Sequence, residues 1–580
     1  MSGHYERLSF LDSSFLALES RTTHFHVAGM LVFEAGDLKR PDGGIDVERI
    51  KRFIESRLHL IPRYRQRLAH VPLERYPVWV DDAHFNIDYH IRHTSLPKPG
   101  SSEQLRALMG RLCSQQLDRS KPLWELNIVE GLEGDHFALI SKIHHAMIDG
   151  ISGVDLMAVL LNLTPTEEFD DPEPFEPRPV PSDAEMIIKE AARRAGRVTA
   201  ALRSVQTLTD DVQTMALQGA RRVRAIRNSL GSGWLSQASM TPLNGTIGPN
   251  RRFETLRTNL EEVKEVKNAL GGSVNDVILA TVAGGVRRYL EAHKVELNDI
   301  DFRVMAPVSV RSPSQRGTLG NQVAMWIVSM PVDEPDATAR LEAVQSETMK
   351  LKMTDQALGA ASLVQMSSGA PSTLVSMASR LATGARPFNM TVTNVPGPQF
   401  PMHLLGAKLI RQYPLVPLWH GHGVGIALFS YDGEICWGFN ADYDVMEDLD
   451  GFVSAIEESF QELLAIARGE KPKSVPKPVK KKTPVKAAAT KAAGSKSPKK
   501  RPPMGGTTKK PASKSNSTGN SKAKAKTATA KKASPAKKPT QAKAAAKTAA
   551  KATAAKRSST AKGGTTKKPT TSAKTRSKSN

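Results

Sequence analysis

Cysteine is nearly absent from this chain: two in 580 residues, Cys113 and Cys436. They lie far apart and lack metal-ligand spacing, which argues against a disulfide framework and fits a reducing compartment. Long hydrophobic runs are missing too. No stretch approaches the roughly 18 apolar residues of a membrane-spanning helix, and the opening MSGHYERLSFLDSSF lacks the basic-then-apolar pattern of a secretory signal. Any membrane contact is therefore expected at the surface. There is no phosphate-binding P-loop and no Gly-x-Ser-x-Gly elbow, so a covalent serine mechanism has no support. Residues 471–580 contain no Phe, Trp, Tyr, Ile or Leu, and no Asp or Glu.

That last absence divides the charge. The net charge of +23 hides a tail with 33 Lys and Arg and a body with 48 basic against 58 acidic residues. The body is mildly acidic and the tail strongly basic. A Lys/Ala/Pro-rich segment without large apolar side chains cannot offset its ordering entropy, so 469–580 is expected to be disordered. Its cations suit anionic lipid head groups or nucleic acid, and with no aromatics it has nothing on which bases could stack.

The body reads as α/β. Ala28–Phe33 and Phe137–Ile143 look like strands, and Val47–Leu58 and Glu103–Leu117 have helical spacing. The acidic, Pro-rich stretch Thr164–Pro181 breaks both patterns and reads as a linker. Residues 183–230 look helical, with a break near Thr207–Asp211. From Glu185 to Leu230 there are nine Arg/Lys against four Asp/Glu, and Arg221, Arg222, Arg224 and Arg227 cluster near the end. Such a helix either bridges two domains with a solvated face or lies on an anionic bilayer. A second α/β region follows, with a helix at Val274–Leu290, strands at Val304–Val310 and Val323–Val332, and a closing helix at Phe452–Ala467. The expected organisation is 1–170, a connector at 171–240, 241–468, and the tail. The two α/β regions are similar enough in size to be diverged copies of one fold.

The chemistry concentrates in Phe137–Gly153, FALISKIHHAMIDGISG. An apolar strand ends in His144 and His145, Asp149 follows four residues after His145, and Gly150 permits a turn closed to other residues. A helical pattern begins at Val154. A neutral imidazole fixed at a strand end can take the proton of a hydroxyl as that oxygen attacks, a contribution of about 10²–10⁴-fold. Asp149 is placed either to orient the imidazole or to pair with an Arg and hold the loop. The bland alternative is a pair of core histidines with a loop aspartate.

HHAMIDG resembles the HHxxxDG motif of coenzyme A-dependent acyltransferases, which also occurs in condensation domains of nonribosomal peptide synthesis. Seven further stretches resemble the bacterial wax ester synthase/diacylglycerol acyltransferase (WS/DGAT) family: LSFLDSSFLALES (8–20), IPRYRQRL (61–68), PVWVDD (77–82), LDRSKPLWE (117–125), LNGTIGPNRRF (243–253), VNDVILA (274–280) and TNVPGP (393–398). The resemblance covers roughly residues 5–468. It implies two chloramphenicol-acetyltransferase-like domains with a central channel between them, entered by acyl donor and alcohol from opposite ends. It implies His145 as general base, His144, Asp149 and Gly150 as supports, and Pro122, Leu123 and Trp124 with Asn275 and Asp276 as structural or site-shaping motifs. Two departures stand out. Phe25-His26-Val27 replaces a frequent Met-His-Val, and the basic tail is not required by the catalytic body.

The tetrahedral centre formed on a thioester needs donors aimed at its oxyanion. Asn275, Thr391 and Thr393 are candidates, although Asn275 and Asp276 equally suit a helix start. Gly421, Gly423 and Gly425 in HGHGVG precede a strand-like run rather than a helix, so no nucleotide loop is expected. His24 with His26, and His420 with His422, fall short of a zinc ligand set.

The resulting expectation is an O-acyltransferase carrying a long-chain acyl group from acyl-CoA to diacylglycerol, or to a long-chain alcohol. No cofactor is expected beyond acyl-CoA as co-substrate. The protein is expected in the cytoplasm, against the inner face of the membrane or lipid droplets through its tail and basic helix. Two rivals remain: a non-catalytic lipid- or nucleic-acid-binding protein, and a condensation-type enzyme using carrier-bound acyl groups.

Overall fold

The computed structural model describes residues 3–147, 159–206, 236–309, 323–353 and 386–470, all within a body spanning Met1–Thr483. Asp149, Gly150, the start of the helical pattern at Val154, the 207–211 break, the arginines at 221–227 and the basic tail lie outside the described residues.

In chain order the first half contains β1 (Glu6–Arg7), α1 (Phe10–Leu18), β2 (His26–Glu34), α2 (Val47–Arg57), β3 (Gln66–His70), β4 (Pro77–Asp81), α3 (Ile87–His90), β5 (Ile91–Ser95), α4 (Ser102–Cys113), β6 (Trp124–Leu132), β7 (His136–His144) and α5 (Asp183–Gln206). The second contains β8 (Arg251–Asn259), α6 (Leu260–Leu270), α7 (Val274–Ala292), β9 (Arg303–Ser309), β10 (Val323–Ser329), α8 (Ala337–Met353), β11 (Met390–Pro396), β12 (His403–Leu404), β13 (Ala407–Leu415), β14 (Val424–Tyr431), β15 (Glu434–Asp442) and α9 (Leu449–Ala467).

Local chemistry sets many of these boundaries. Ser9 caps α1 by accepting the Asp12 amide, and Ser101 with Gln104 forms a capping box on α4. The helix expected over Glu103–Leu117 stops at Cys113, because the Leu112 carbonyl is taken by the Lys142 ammonium and Ser114 turns its hydroxyl back onto Gly110. The strand expected over Val323–Val332 ends at Ser329, just before Pro331, whose nitrogen has no proton for a ladder. Residues 164–181 form no regular element, as the linker composition predicts.

Two six-stranded sheets carry the body, in the orders β12-β13-β2-β7-β6-β5 and β10-β9-β11-β14-β15-β8, with a small third sheet β1-β4-β3. β12 and β13, from within 241–468, pair into the first sheet, so the second half lends strands to the first. The strand core of one sheet repeats in the other. β2-β7-β6-β5 and β8-β15-β14-β11 share order and direction, antiparallel, antiparallel, then parallel. Even the registers match. His26 at the start of β2 pairs with His144 at the end of β7, and Arg251 at the start of β8 pairs with Asp442 at the end of β15.

The second core is apolar, with α7, α8 and α9 packed on one sheet face through residues such as Ile278, Leu341 and Phe460. A separate cluster joins the halves, setting Met109 and Ile140 against Phe253, Tyr413 and Cys436. Gly110 is needed there, because a Cβ would lie 2.8 Å from the Arg251 carbonyl oxygen. Both cysteines are buried and free. Among the described residues no single helix is long and apolar enough to cross a membrane. One pair bent by 94°, α6 with α7, passes by length and composition only, and α7 is largely buried in the second core.

The described part of α5 uses its cations on the body. Lys189 donates to the Gly3 carbonyl at 2.5 Å, Arg193 pairs with Glu190 at 2.7 Å, and Arg194 pairs with Glu74. Glu190, buried, also holds Arg7 and the Tyr5 hydroxyl. This stretch is a strap fastened to the small sheet, and these three cations do not form a free basic face.

Candidate active site

The two histidines of HHAMIDG sit where β7 gives way to a single 3-10 turn, His145–Met147. Backbone bonds fix both. The His144 amide donates to the Leu123 carbonyl at 2.9 Å, and the His145 amide donates to the Phe25 carbonyl at 2.7 Å. The PLW motif thus acts directly on the histidine pair. Leu123 supplies the carbonyl, and Trp124 anchors β6 by donating from its indole to Tyr64 at 2.8 Å and stacking on His90 at 4.6 Å. Pro122 is buried just ahead of them.

The two rings have different surroundings. His144 is 1% exposed. Its Nδ1 accepts the Ala146 amide at 3.0 Å, which leaves the proton on Nε2. That Nε2 lies 3.5 Å from the Glu19 carboxylate. His145 is half-buried and packs on Phe15, with ring centroids 4.1 Å apart. Among the described residues its Nδ1 has no aligned hydrogen-bond partner. Desolvation pushes its pKa down to about 4, so near neutral pH the ring is uncharged and able to accept a proton. Among the described residues the His144 ring is therefore tied at Nδ1, and the His145 ring is not.

Residue reading alone missed Glu19. It lies at the C-cap of α1 with its carboxylate 3% exposed, 3.5 Å from the Nε2 atoms of both His26 and His144 and bound by Arg119. Burial alone would raise its pKa, but contacts to His144, His26 and Arg119 hold the carboxyl well below the usual range. The clue lay in two motif stretches, one carrying Glu19 and the other Arg119. LDRSKPLWE wraps the whole site: Arg119 binds Glu19, Leu123 holds His144, and Glu125 meets Lys142 at 3.1 Å. Lys142, fully buried two residues before His144, also caps the end of α4 through the Leu112 and Gln115 carbonyls.

An aromatic series leads from His145 into the second half. Phe15 meets Phe25 at 5.5 Å, Phe25 meets Trp419 at 5.2 Å, Trp419 meets Phe388 at 6.0 Å, and Phe388 meets His422 at 4.5 Å. Burial lowers the His422 pKa to about 3 and the His26 pKa to about 3. Arg251 ties the halves beside this series, donating to the Thr22 carbonyl on one side and to Asp442 at 3.2 Å on the other.

The oxyanion candidates separate clearly. Asp276 completes a capping box with Ser273 and accepts the Thr348 hydroxyl at 2.8 Å, so it is engaged in helix structure. Asn275 is half-buried in the same first turn of α7. Thr391 and Thr393 both lie on β11, on the face opposite Met390 and Val392, which enter the second core. Thr391 is 2% exposed and its hydroxyl has no hydrogen-bond partner among the described residues. Thr393 is half-buried. No hydrogen bond among the described residues joins any of these four to the histidines. The described residues also contain no group of three or more His, Cys, Asp or Glu placed to hold a metal ion.

Known proteins share this arrangement of segments. The profile of the wax ester synthase/diacylglycerol acyltransferase catalytic domain matches residues 8–278, and that of the WS/DGAT C-terminal domain matches residues 319–464. A Mycobacterium tuberculosis (strain CDC 1551) protein bearing the name diacylglycerol O-acyltransferase is 31% identical over 467 residues, covering 79% of this chain and 90% of its own. A second, from strain H37Rv, is 29% identical and covers 80% and 97%. Solved structures speak to the fold. The wax ester synthase/diacylglycerol acyltransferase of Marinobacter aquaeolei VT8 aligns with a TM-score of 0.55 at 24% identity, covering 80% of this chain and all of that one. The first condensation domain of the calcium-dependent antibiotic synthetase aligns at 0.50 and 15%, covering 80% and 97%. With two domain profiles matched in order and full-length relatives aligned across both halves, the chain belongs to the wax ester synthase/diacylglycerol acyltransferase family.

Proposed function

We propose that this protein transfers a long-chain acyl group from acyl-CoA to diacylglycerol, forming triacylglycerol, and to long-chain alcohols, forming wax esters. The observation that carries the reading is His145: an uncharged, half-buried imidazole, fixed by its backbone and with no aligned partner at Nδ1 among the described residues, in a chain of this family. In the proposed reaction His145 takes the proton of the acceptor hydroxyl while that oxygen bonds to the thioester carbonyl carbon. The tetrahedral centre collapses, the carbon–sulfur bond breaks, and the imidazolium returns the proton to the coenzyme A thiolate. Thr391 is the favoured oxyanion donor, since its buried hydroxyl has no other partner among the described residues and lies off the second core. Asp149 and Gly150 keep the supporting roles that the family motif implies, and Asn275 and Thr393 shape the site. The reaction needs no cofactor beyond the acyl-CoA substrate. A central channel between the halves, open at both ends, would bring the two substrates together at His145.

The proposed location is the cytoplasm, peripheral to the inner face of the membrane or to lipid droplets, where such substrates reside. The basic tail is the proposed contact, at about 1 kcal/mol per cation near an anionic surface. Truncation after Glu470 should leave turnover of detergent-dispersed substrate intact and weaken binding to anionic vesicles. Loss of binding to nucleic acid alone would assign the tail to that partner instead.

The functional test is release of coenzyme A thiol by the purified protein from a long-chain acyl-CoA, with diacylglycerol, a long-chain alcohol, or no acceptor, and with separation of the lipid products. Acceptor-dependent release with the matching ester as product is expected. Release without ester formation, or none across several acyl lengths with a folded protein, would contradict the reading.

A further inference from the structure

We propose that Glu19 is a positioning residue for acyl transfer: its buried carboxylate holds His144 in the Nε2–H tautomer, and His144 in turn fixes the turn that presents His145. The inference rests on the reading of His145 as the base.

The second half shows why such a residue is needed. At the strand end equivalent to His144 stands Asp442, whose carboxylate accepts the amides of Asp444 and Val445, each at 3.1 Å. An ionised carboxylate is always an acceptor, so the turn after β15 has its partner in any proton arrangement. His144 does the same work with the Ala146 amide, at 3.0 Å, through Nδ1. A neutral imidazole accepts at Nδ1 only while its proton is on Nε2. That choice must be enforced, because with the other tautomer the Ala146 amide would face an N–H and the turn carrying His145 would lose its tie.

Glu19 is placed to enforce it. Its carboxylate lies 3.5 Å from the His144 Nε2, an electrostatic contact that favours a proton on that atom, and the buried Nε2 makes no aligned hydrogen bond among the described residues. The carboxylate stays ionised in its buried setting because Arg119, itself fastened to the Leu16 carbonyl at 2.9 Å, pairs with it. His26, opposite His144 in the strand register, meets the other carboxylate oxygen at 3.5 Å and closes the cluster. Among the described residues the charged and imidazole partners of Glu19 are His26, Arg119 and His144, so its effect passes to the turn through His144.

The test combines histidine ¹⁵N NMR with kinetics. In the wild-type protein His144 should be a single neutral Nε2–H tautomer. Finding it as Nδ1–H or as imidazolium overturns the proposal without any variant. In Glu19→Gln, where an amide can present either a donor or an acceptor, His144 should become a mixture of tautomers. The kcat should fall about tenfold, the scale of removing one buried charge beside the imidazole, with KM for acyl-CoA unchanged. The double variant Glu19→Gln/Arg119→Gln should stay equally slow. Recovery of wild-type kcat in the double variant would show that Glu19 only balances Arg119, and an unchanged His144 spectrum in Glu19→Gln would show that it does not act through the tautomer. Wild-type turnover in His145→Ala would instead sink the base assignment, which the NMR result does not depend on.

Discussion

The strand pairs β2–β7 and β8–β15 have the same length, direction and register, and they end in opposite chemistry, at His144 and at Asp442. Where the first sheet joins His26 to His144, the second joins Arg251 to Asp442, with side chains 3% and 0% exposed. Where the first continues into His145, half-buried, the second continues into Tyr443, an exposed residue under the Arg252 guanidinium at 4.0 Å. One strand end carries the proposed base and the other an ion pair. The ion pair also reaches the first half, since Arg251 donates to Thr22, a few residues before His26. The same fold position thus holds an imidazole pair in one half and a buried ion pair in the other, and function must be argued from the side chains.

The largest expected effect breaks the ion pair. Asp442→Ala leaves the Arg251 guanidinium buried without its carboxylate and strips Gly248, Asp444 and Val445 of an acceptor. A loss of about 3–5 kcal/mol of stability is expected, measured by denaturant unfolding. A cost below about 1 kcal/mol, the scale of an exposed pair, would remove the ion pair from the comparison.

Next comes Thr391→Val. Its hydroxyl has no partner among the described residues, so stability should change little, while kcat should fall about 10²-fold if it donates to the oxyanion. A normal kcat would pass the role to Asn275.

The pH dependence should be smaller and should separate the halves less sharply. His145 must be neutral to act, and burial holds its pKa at about 4, so turnover per folded molecule should be flat through neutral pH and fall only as pH passes through about 4. His26, His90 and His422 are also buried neutral, with values of about 3, 4 and 3. Between those values and 6.5 the unfolded chain binds more protons than the folded one, so stability must decline as pH falls through that window. Glu19, held low, adds to the decline below the ordinary carboxylate range. Thermal unfolding followed from pH 8 to 4 should therefore show lost stability before lost intrinsic activity. A half-maximal rate near 6.5 in a fully folded protein would mean that His145 is not desolvated in solution.

Much of this was legible in the chain. The spacing of FALISKIHH places a strand ending in two histidines, and periodicity finds α2, α7 and α9 to within a few residues. Partners joined across long sequence separations were not legible. Glu19 lies 125 residues before His144, and Arg251 pairs with Asp442 across 191. No local period encodes such a meeting. The crossing of β13 into the first sheet is hidden for the same reason, since a strand reads alike whichever sheet receives it. The matching of β2–β7 with β8–β15 needed the register, because their sequences share little beyond alternation.

The most direct test of the central claim sets the two strand ends against each other: coenzyme A release from a long-chain acyl-CoA in the presence of diacylglycerol, by wild type, His145→Ala and Tyr443→Ala, each verified as folded by circular dichroism. The account predicts a loss of about 10²–10⁴-fold for His145→Ala and a rate close to wild type for Tyr443→Ala. Turnover by His145→Ala at the wild-type rate, or equal losses in the two variants, would contradict it.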